Sequence, residues 1–263
     1  MAIKEAKGNV IIRMDVHTIY ADEYIKACID TLLATGAQNV GGAARTIAKG
    51  YVQGANAIAF GSVFSVGGAS FHSVDYEGWV DTVTYGCWWK ETLLDIGLFD
   101  EKLIRNQDDE LNYRIKKNGG RIWQSSRIKS WYFPRATISG IFNQYMQYGY
   151  WKVGILKKHK LPSSWRQLVP PIFLASLLVS GLCAINSNIS FVVFSAVMAA
   201  YLAVSLIFSW YCCVKRGNKR YFIIMPIVFM AYHFGYGVGY MLGLLVWMFP
   251  RISYYSAMAK INR

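Results

Sequence analysis

Three long apolar segments occupy the last third of the chain, and they limit its fold more than any other feature. They run over residues 168–185, 189–214 and 222–249. A helix needs about 20 apolar residues to cross the hydrocarbon core of a bilayer, so the first segment is close to the minimum length and the other two exceed it. The sequence therefore predicts a transmembrane region over residues 168–263, with a helix in each segment.

The third segment also carries a regular series of glycines. Gly235, Gly239 and Gly243 lie four residues apart and so share one face of a helix. Small residues at this spacing allow the backbones of two helices to approach closely in lipid. We therefore expect this face to pack against a neighbouring helix.

The charged residues are distributed unevenly along the chain. The formal net charge is +13, all fifteen acidic residues lie between Glu5 and Glu110, and nineteen of the 28 Lys and Arg residues follow Glu110. A strongly basic half is typical of binding either to nucleic acid or to anionic lipid. Because the basic half coincides with the apolar segments, we expect membrane lipids as the partner and no nucleic acid.

The loops between the apolar segments predict an orientation. The loop at residues 215–220 and the linker at 151–167 are basic, which favours the cytoplasmic side, whereas the turn at 186–188 is uncharged and should lie outside. Residues 1–167 are then cytoplasmic. An odd number of spans would place the basic residues of the C-terminal tail outside, although basic residues prefer the cytoplasmic side; these residues are Arg251, Lys260 and Arg263. Either the last span is then re-entrant or the membrane protein tolerates a basic tail on the outside.

The first part of the chain alternates between predicted strands and helices. This alternation predicts an α/β fold in which a mixed sheet is flanked by helices. The first strand, at residues 9–14, ends at Asp15, which is where open α/β sheets bind ligands. The cysteines show neither metal-ligand spacing nor a disulfide framework and are interpreted as small buried hydrophobic residues; they are Cys28, Cys87, Cys183, Cys212 and Cys213.

Three adjacent carboxylates at residues 108–110 stand at the start of a predicted helix. Leu111 and Ile115 should face a core, while Glu110 and Arg114 should pair on the opposite side of the helix. Acidic residues in a first helical turn are favoured by the helix dipole, so part of this cluster needs no function. The alternative interpretation is that the cluster takes part in catalysis.

A carboxylate at a strand end, followed about ninety residues later by a carboxylate cluster, suits transfer from a nucleotide-diphosphate donor. Asp15 and His17 alternate along a predicted extended backbone, so both could bind one divalent cation, Mg²⁺ or Mn²⁺. Asp108 would then be the base for the acceptor hydroxyl. An Asp-x-His pattern is also common by chance. The other histidines are interpreted only as hydrogen-bonded polar residues; they are His72, His159 and His233.

Five motifs in chain order give a more specific indication. They are Arg13-Met14-Asp15-Val16-His17-Thr18, Asn39-Val40-Gly41-Gly42, Val80-Asp81-Thr82-Val83, Asn106-Gln107-Asp108-Asp109-Glu110-Leu111-Asn112-Tyr113-Arg114 and Gln144-Tyr145-x-x-Tyr148-Gly149-x-Trp151-Lys152. Together they resemble the bacterial family 2 glycosyltransferases of exopolysaccharide synthesis, close to the succinoglycan type. The resemblance covers nearly the whole chain, and its specificity comes from the set rather than from any one motif.

The resemblance implies a GT-A fold and a metal-dependent, inverting transfer from a nucleotide-sugar to a lipid-linked or growing glycan at the bacterial cytoplasmic (inner) membrane. It implies Asp108 as the catalytic base and Asp15 and His17 as the residues that bind the donor diphosphate and the metal. It also implies an acceptor-binding set of Asp81, Trp88, Gln144, Tyr148 and Trp151.

The sequence departs from the family pattern in three ways. Gln107 stands where Glu is usual, and Gln147 and Tyr148 stand where processive synthases have Arg and Trp, so processive synthesis is not expected. The first strand of the family's domain and its nucleobase loops have no counterpart at the start of this sequence. We therefore predict a partial GT-A catalytic domain over 1–150, a basic interfacial linker over 151–167 and the membrane region.

Because the first strand and the nucleobase loops of the family have no counterpart in this sequence, two interpretations of its function stay open. In the first, the chain is a membrane-anchored hexosyltransferase, completed where necessary by a separate chain that supplies the N-terminal half. In the alternative, it is a non-catalytic membrane fragment that acts as a scaffold or partner of a complete glycosyltransferase.

Overall fold

The structure is a computed structural model that describes residues 2–68, 70–160, 162 and 164–249. The prediction for Arg251, Lys260 and Arg263 lies outside the described residues. The helices are α1 (Ala2–Glu5), α2 (Tyr24–Thr35), α3 (Tyr51–Phe60), α4 (Val63–Val66), α5 (Lys90–Ile96), α6 (Gln107–Lys117), α7 (Ile138–His159), α8 (Val169–Cys183), α9 (Asn188–Lys215) and α10 (Met225–Met248). The strands are β1 (Val10–Ile12), β2 (Thr18–Tyr20), β3 (Asn39–Gly42), β4 (Ala44–Thr46), β5 (Gly78–Val80), β6 (Thr84–Trp89), β7 (Ile122–Gln124) and β8 (Ser130–Tyr132).

The chain forms two compact units. The α/β unit comprises Met1–Ala48 and Gly68–Pro134, and the helical unit comprises Lys49–Gly67 and Arg135–Arg263. These units differ from the ranges 1–150, 151–167 and 168–263 predicted as domains, because α7 packs along α10 and because α3 and α4 also belong to the helical unit. The functional assignment of those ranges stays a prediction.

Two mixed sheets form the frame of the α/β unit. Within its described residues, one sheet has the strand order β1-β6-β3-β7-β5 and the other has the order β2-β8-β4. β3 pairs in parallel with β7 and β4 pairs in parallel with β8, whereas the other pairs are antiparallel. A side chain at Gly42 would overlap the carbonyl group of Ile128, so the backbone approach at the end of β3 requires glycine.

Helices cover both faces of the larger sheet. Neighbouring residues of β6 point to opposite faces, so Cys87 packs with Cys28 and Leu32 of α2, and Trp88 packs with Leu111 of α6. This arrangement confirms the predicted fold class, a mixed sheet flanked by helices followed by a C-terminal helical region.

Within the helical unit, α7 and α10 pack with their backbones in close approach. A side chain at Gly235 would lie 2.6 Å from the Phe142 carbonyl oxygen, and one at Gly239 would overlap the backbone of Met146. The expected role of the glycine series in close helix packing is confirmed. The predicted basic linker is largely helical, because α7 continues to His159.

Three helices in the described part of the chain are long and apolar enough to cross a membrane. They are Trp165–Cys183, Asn188–Lys215 and Met225–Met248, with mean hydropathies of 1.4, 2.4 and 1.3. The three predicted apolar segments thus form three helices of membrane-spanning length and composition.

Candidate active site

Asp108 lies in the first turn of α6, at the start of the acidic cluster. The helix begins at Gln107, directly after Asn106, whose backbone has a φ of 59° in the left-handed region. The Asp108 carboxylate is partly buried, and its Oδ1 accepts the backbone N–H of Asp109 at 3.1 Å. Left-handed residues other than glycine are uncommon and concentrate at functional sites, which makes this turn a candidate for one.

A buried ion pair holds the first turn of α6 in place. Arg114 donates to both carboxylate oxygens of Glu110, with Nε–Oε1 at 2.9 Å and Nη2–Oε2 at 2.8 Å. It also donates to the carbonyl oxygens of Ile96 and Leu98, each at 2.5 Å. The predicted pair is present, but the expectation that it faces away from the core is wrong, because the Glu110 side chain is fully buried.

A chain of amides connects α6 to the larger sheet. Asn39 Nδ2 donates to Asn112 Oδ1 at 2.8 Å, and Asn112 Nδ2 donates to Thr82 Oγ1 at 2.7 Å. Asn39 Oδ1 in turn accepts the backbone N–H of Cys87 in β6 at 3.1 Å. Since buried amides are costly unless they are hydrogen-bonded, this network fixes α6 against the sheet and thereby positions Asp108.

The environment of Asp108 favours its protonated form. Burial raises the pKa of Asp108 above the ordinary value for an aspartate, and the neighbouring carboxylate of Asp109 raises it further, while the guanidinium of Arg13 opposes the change. A carboxylate with a raised pKa has more affinity for a proton than an exposed one and is better suited to act as a general base.

Asp15 and His17 lie in a turn rather than along an extended backbone, which corrects the prediction. Asp15 Oδ1 accepts the backbone N–H of His17 at 3.0 Å, and the Asp15 carbonyl oxygen accepts the N–H of Thr18 at 3.2 Å. Aspartate stabilises such turns by bonding to the backbone two residues later. The Oδ2 atom of Asp15 and the exposed imidazole of His17 are the atoms at this turn that could bind a metal ion.

Two half-buried phenols contact the turn at Asp15. Tyr20 Oη accepts the backbone N–H of Asp15 at 2.5 Å, and Tyr85 Oη bonds to Thr18 Oγ1. Burial raises the pKa of Tyr85 to about 12 and that of Tyr20 in the same direction, so both phenols stay neutral at physiological pH. Tyr85 has a φ of 66°, a second left-handed residue near the turn.

Two further residues, Arg13 and His72, interact electrostatically with the acidic cluster at the start of α6, and neither was predicted as a site residue. Arg13 is close enough to influence the pKa values of both Asp108 and Tyr20, and therefore connects the start of α6 with the turn at Asp15. Burial lowers the pKa of His72 to about 4, although the charge of Asp109 opposes this, so the imidazole is neutral at physiological pH. Strand alternation could have indicated Arg13, which lies two residues before Asp15, but no sequence signal indicated His72.

The two predicted acceptor-binding residues of the α/β unit have different environments. Asp81 is exposed and forms an ion pair with Lys116. Trp88 is fully buried against Phe99, with ring centroids 5.7 Å apart, so its place in the core does not agree with contact to an acceptor.

The other three predicted acceptor-binding residues lie on α7 in the helical unit. Gln144 Nε2 donates to Tyr148 Oη at 3.1 Å, and both side chains are half-buried. Trp151 is 6% exposed and its ring lies against Tyr150. Their role in acceptor binding stays a prediction.

Among the described residues, no group of three or more His, Cys, Asp or Glu side chains could hold a metal ion. The Asp15 Oδ2 atom and the His17 imidazole provide a smaller set of donors. Such a set fits a Mg²⁺ or Mn²⁺ ion that takes most of its ligands from phosphate oxygens and water.

The chain is homologous to glycosyltransferases and to proteins of exopolysaccharide synthesis, as two curated relatives show. No protein-family model matches it. The class that the resemblance of the motifs implied, glycan-synthesising enzymes, is thereby confirmed.

The first of these relatives is the succinoglycan biosynthesis protein ExoA of Rhizobium meliloti, which is 29% identical over 91% of this chain and 71% of its own length. The second is the dolichyl N-acetyl-alpha-D-glucosaminyl phosphate 3-beta-D-2,3-diacetamido-2,3-dideoxy-beta-D-glucuronosyltransferase of Methanococcus voltae, 24% identical over 92% of this chain and 73% of its own length. A crystal structure of S. aureus TarS 1-349 with UDP covers 97% of this chain and 70% of that one at 12% identity. Its TM-score of 0.37 is too low to bear on the fold.

Proposed function

We propose that this chain is a membrane-anchored, inverting glycosyltransferase that moves a sugar from a nucleotide-diphosphate-sugar to a lipid-linked or growing glycan during synthesis of a cell-surface polysaccharide. The observation that carries the proposal is the position of Asp108, a partly buried carboxylate with a raised pKa, fixed at the start of α6. The homology to glycan-synthesising proteins supports the class of reaction.

Asp108 is the general base in this proposal. It accepts the proton of the acceptor hydroxyl as that oxygen forms a bond to the anomeric carbon of the donor sugar. The bond between the anomeric carbon and the diphosphate breaks, and the nucleoside diphosphate leaves with the bonding electrons. A single displacement of this kind inverts the configuration at the anomeric carbon.

Asp15 and His17 hold the diphosphate end of the donor together with Mg²⁺ or Mn²⁺. When bound, the cation would neutralise the charge that develops on the departing diphosphate. The turn stabilised by the Asp15 carboxylate and by Tyr20 and Tyr85 keeps the Asp15 side chain in place.

The acceptor is proposed to be lipid-linked. Asp81 in the α/β unit and Gln144, Tyr148 and Trp151 in the helical unit remain the residues predicted to bind it. The name of the Methanococcus voltae relative includes a dolichyl-linked sugar phosphate, which supports an acceptor of this class. The helices of membrane-spanning length suit the bacterial inner membrane, with the catalytic part in the cytoplasm.

The test is the incorporation of labelled sugar from nucleotide-sugars into lipid-linked glycan by membranes that contain the full chain. Asp108→Asn should lower the rate by about 10²–10⁴-fold, as expected for the loss of a general base. The matched control is Asp30→Asn, which changes an exposed carboxylate on α2 and should leave the rate unchanged. Transfer that is indifferent to Asp108→Asn would overturn the role of Asp108, and binding without any transfer would instead indicate a scaffold.

A further inference from the structure

The side chain of Arg13 is half-buried in the α/β unit. The backbone N–H of Arg13 bonds to the Gly86 carbonyl oxygen at 3.1 Å, and the Cζ atom lies 5.8 Å from the centre of the Phe99 ring. Within residues 2–68, 70–160, 162 and 164–249, no ion pair or side-chain hydrogen bond involves this guanidinium. In contrast, the guanidinium of Arg114 in the same unit bonds to both a carboxylate and two carbonyl oxygens.

The position of Arg13 is electrostatically central to the candidate site. Arg13 lies two residues before Asp15, and its charge lowers the pKa values of the Asp108 carboxyl group and of the Tyr20 phenol, which bonds to Asp15. Arg13 and Asp108 nevertheless form no direct ion pair in the described part of the chain. The guanidinium therefore retains its hydrogen-bond donors for a ligand that lies between the turn at Asp15 and the start of α6.

We propose that Arg13 binds the diphosphate of the nucleotide-sugar donor through its N–H groups. This assignment rests on the proposed function, because that function brings a diphosphate to the turn at Asp15. A guanidinium presents its donors in a planar fork that matches two phosphate oxygens at once, which an ammonium group cannot do. Phe99 supports the fork from one face, so its orientation is partly fixed before the ligand arrives.

The binding of inorganic pyrophosphate to the purified full chain in lipid nanodiscs tests this proposal without any sugar transfer. Isothermal titration calorimetry with and without Mn²⁺ measures the affinity. Arg13→Gln should weaken binding by about 10- to 100-fold, the range for loss of a hydrogen bond to a charged group. Arg13→Lys keeps the charge but loses the fork and should bind with an affinity between those of wild type and Arg13→Gln.

Arg121→Gln is the matched control for the loss of one positive charge. Arg121 belongs to the same unit and its guanidinium also lies over an aromatic ring, 4.2 Å from the centre of Trp79. This variant should bind pyrophosphate as the wild type does. Circular dichroism of each variant confirms that the fold is retained.

The outcomes separate this proposal from the proposed function. Loss of pyrophosphate binding in Arg13→Gln supports the assignment even if the wild-type chain transfers no sugar. Equal binding by wild type and Arg13→Gln, equal weakening in Arg121→Gln, or no binding by the wild type overturns it, whether or not the chain transfers sugar.

Discussion

At the scale of single residues, the burial of Asp108 should cost the folded chain stability at neutral pH. A carboxyl group whose pKa is raised on folding binds its proton more tightly in the folded state. Its contribution to stability is therefore fully present below the ordinary pKa of aspartate and is lost as the pH rises through the raised value. Asp108→Asn, which is neutral at every pH, should therefore have a higher Tm than wild type at pH 7.

The measurement is thermal unfolding of both proteins in the same detergent between pH 4 and pH 8. The difference in Tm between Asp108→Asn and wild type should become smaller as the pH falls, because the wild-type carboxyl group then becomes protonated in the folded state. A variant that is less stable than wild type at pH 7 would show that the carboxylate makes a net favourable contact instead.

A second prediction at this scale concerns the ion pair between Glu110 and Arg114. Glu110→Gln leaves the guanidinium of Arg114, whose side chain is only 14% exposed, without its counter-charge. Breaking one side of a buried pair typically costs about 3–5 kcal/mol. Asp81→Asn is the control, because it breaks an exposed ion pair with Lys116, and such pairs contribute about 0–1 kcal/mol.

Urea unfolding of the α/β unit, followed by tryptophan fluorescence in the full chain, compares the two variants. The expected result is a marked fall in the midpoint for Glu110→Gln and little change for Asp81→Asn. Similar midpoints for both variants would mean that Glu110 is not essential to the first turn of α6.

At the scale of elements, helix α6 shows what its sequence could predict. The spacing of Leu111 and Ile115 correctly predicted the buried face, and the spacing of Glu110 and Arg114 correctly predicted their pairing. The periodicity could not show that the pair is buried as well, because its partners at Ile96 and Leu98 come from a preceding turn. A one-dimensional pattern carries no information on such tertiary contacts.

The turn at Asp15 and helix α7 illustrate the same limit. Alternation along a strand predicted an extended backbone through His17, but the bond from the His17 N–H to the Asp15 carboxylate produces a turn. The basic residues after 151 predicted a linker, yet the apolar and aromatic residues that precede them continue a helix packed on α10. In both cases local chemistry or packing outweighed the pattern.

The packing of α7 against α10 leads to a prediction for the glycine series. Gly239→Ala places a methyl group against the backbone of Met146, so the two helices must move apart. We expect a loss of about 1–3 kcal/mol or more, since overpacking of a fixed contact costs this much and a backbone cannot yield as a side chain does. The measurement is the apparent Tm of the full chain in detergent.

Gly181→Ala on α8 is the matched control for this substitution. The added methyl group would lie 3.5 Å from the Phe194 ring, an ordinary contact, so the Tm should be unchanged or slightly higher. A Gly239→Ala protein as stable as Gly181→Ala would contradict the close backbone packing of α7 on α10.

At the scale of the whole molecule, the division of charge follows the two units. Every acidic residue belongs to the α/β unit, and the sequence of the helical unit contains basic residues without any acidic ones. The sequence predicted the helices of membrane-spanning length because hydrophobicity over a long window is a local property. It could not indicate that residues 49–67 belong to the same unit, because α3 and α4 join it through packing with helices far along the chain.

The last prediction concerns the orientation of the helical unit in the membrane. The end of α9 and the loop between α9 and α10 contain four basic residues, whereas the turn between α8 and α9 is uncharged; the four are Lys215, Arg216, Lys219 and Arg220. Basic loops are retained on the cytoplasmic side, so a cysteine introduced at Asn218 should face the cytoplasm and one introduced at position 186 should face outwards.

Labelling with a membrane-impermeant maleimide tests this orientation when Cys183, the exposed native cysteine near the uncharged turn, is first replaced by serine. In spheroplasts the Asn186→Cys protein should react and the Asn218→Cys protein should not, and inverted vesicles should give the opposite result. Replacing these four basic residues by glutamine should reduce the difference in labelling, because their positive charge is what favours the cytoplasmic side. Labelling of Asn218→Cys in spheroplasts would place the basic loop outside and would contradict an active site that binds nucleotide-sugars from the cytoplasm.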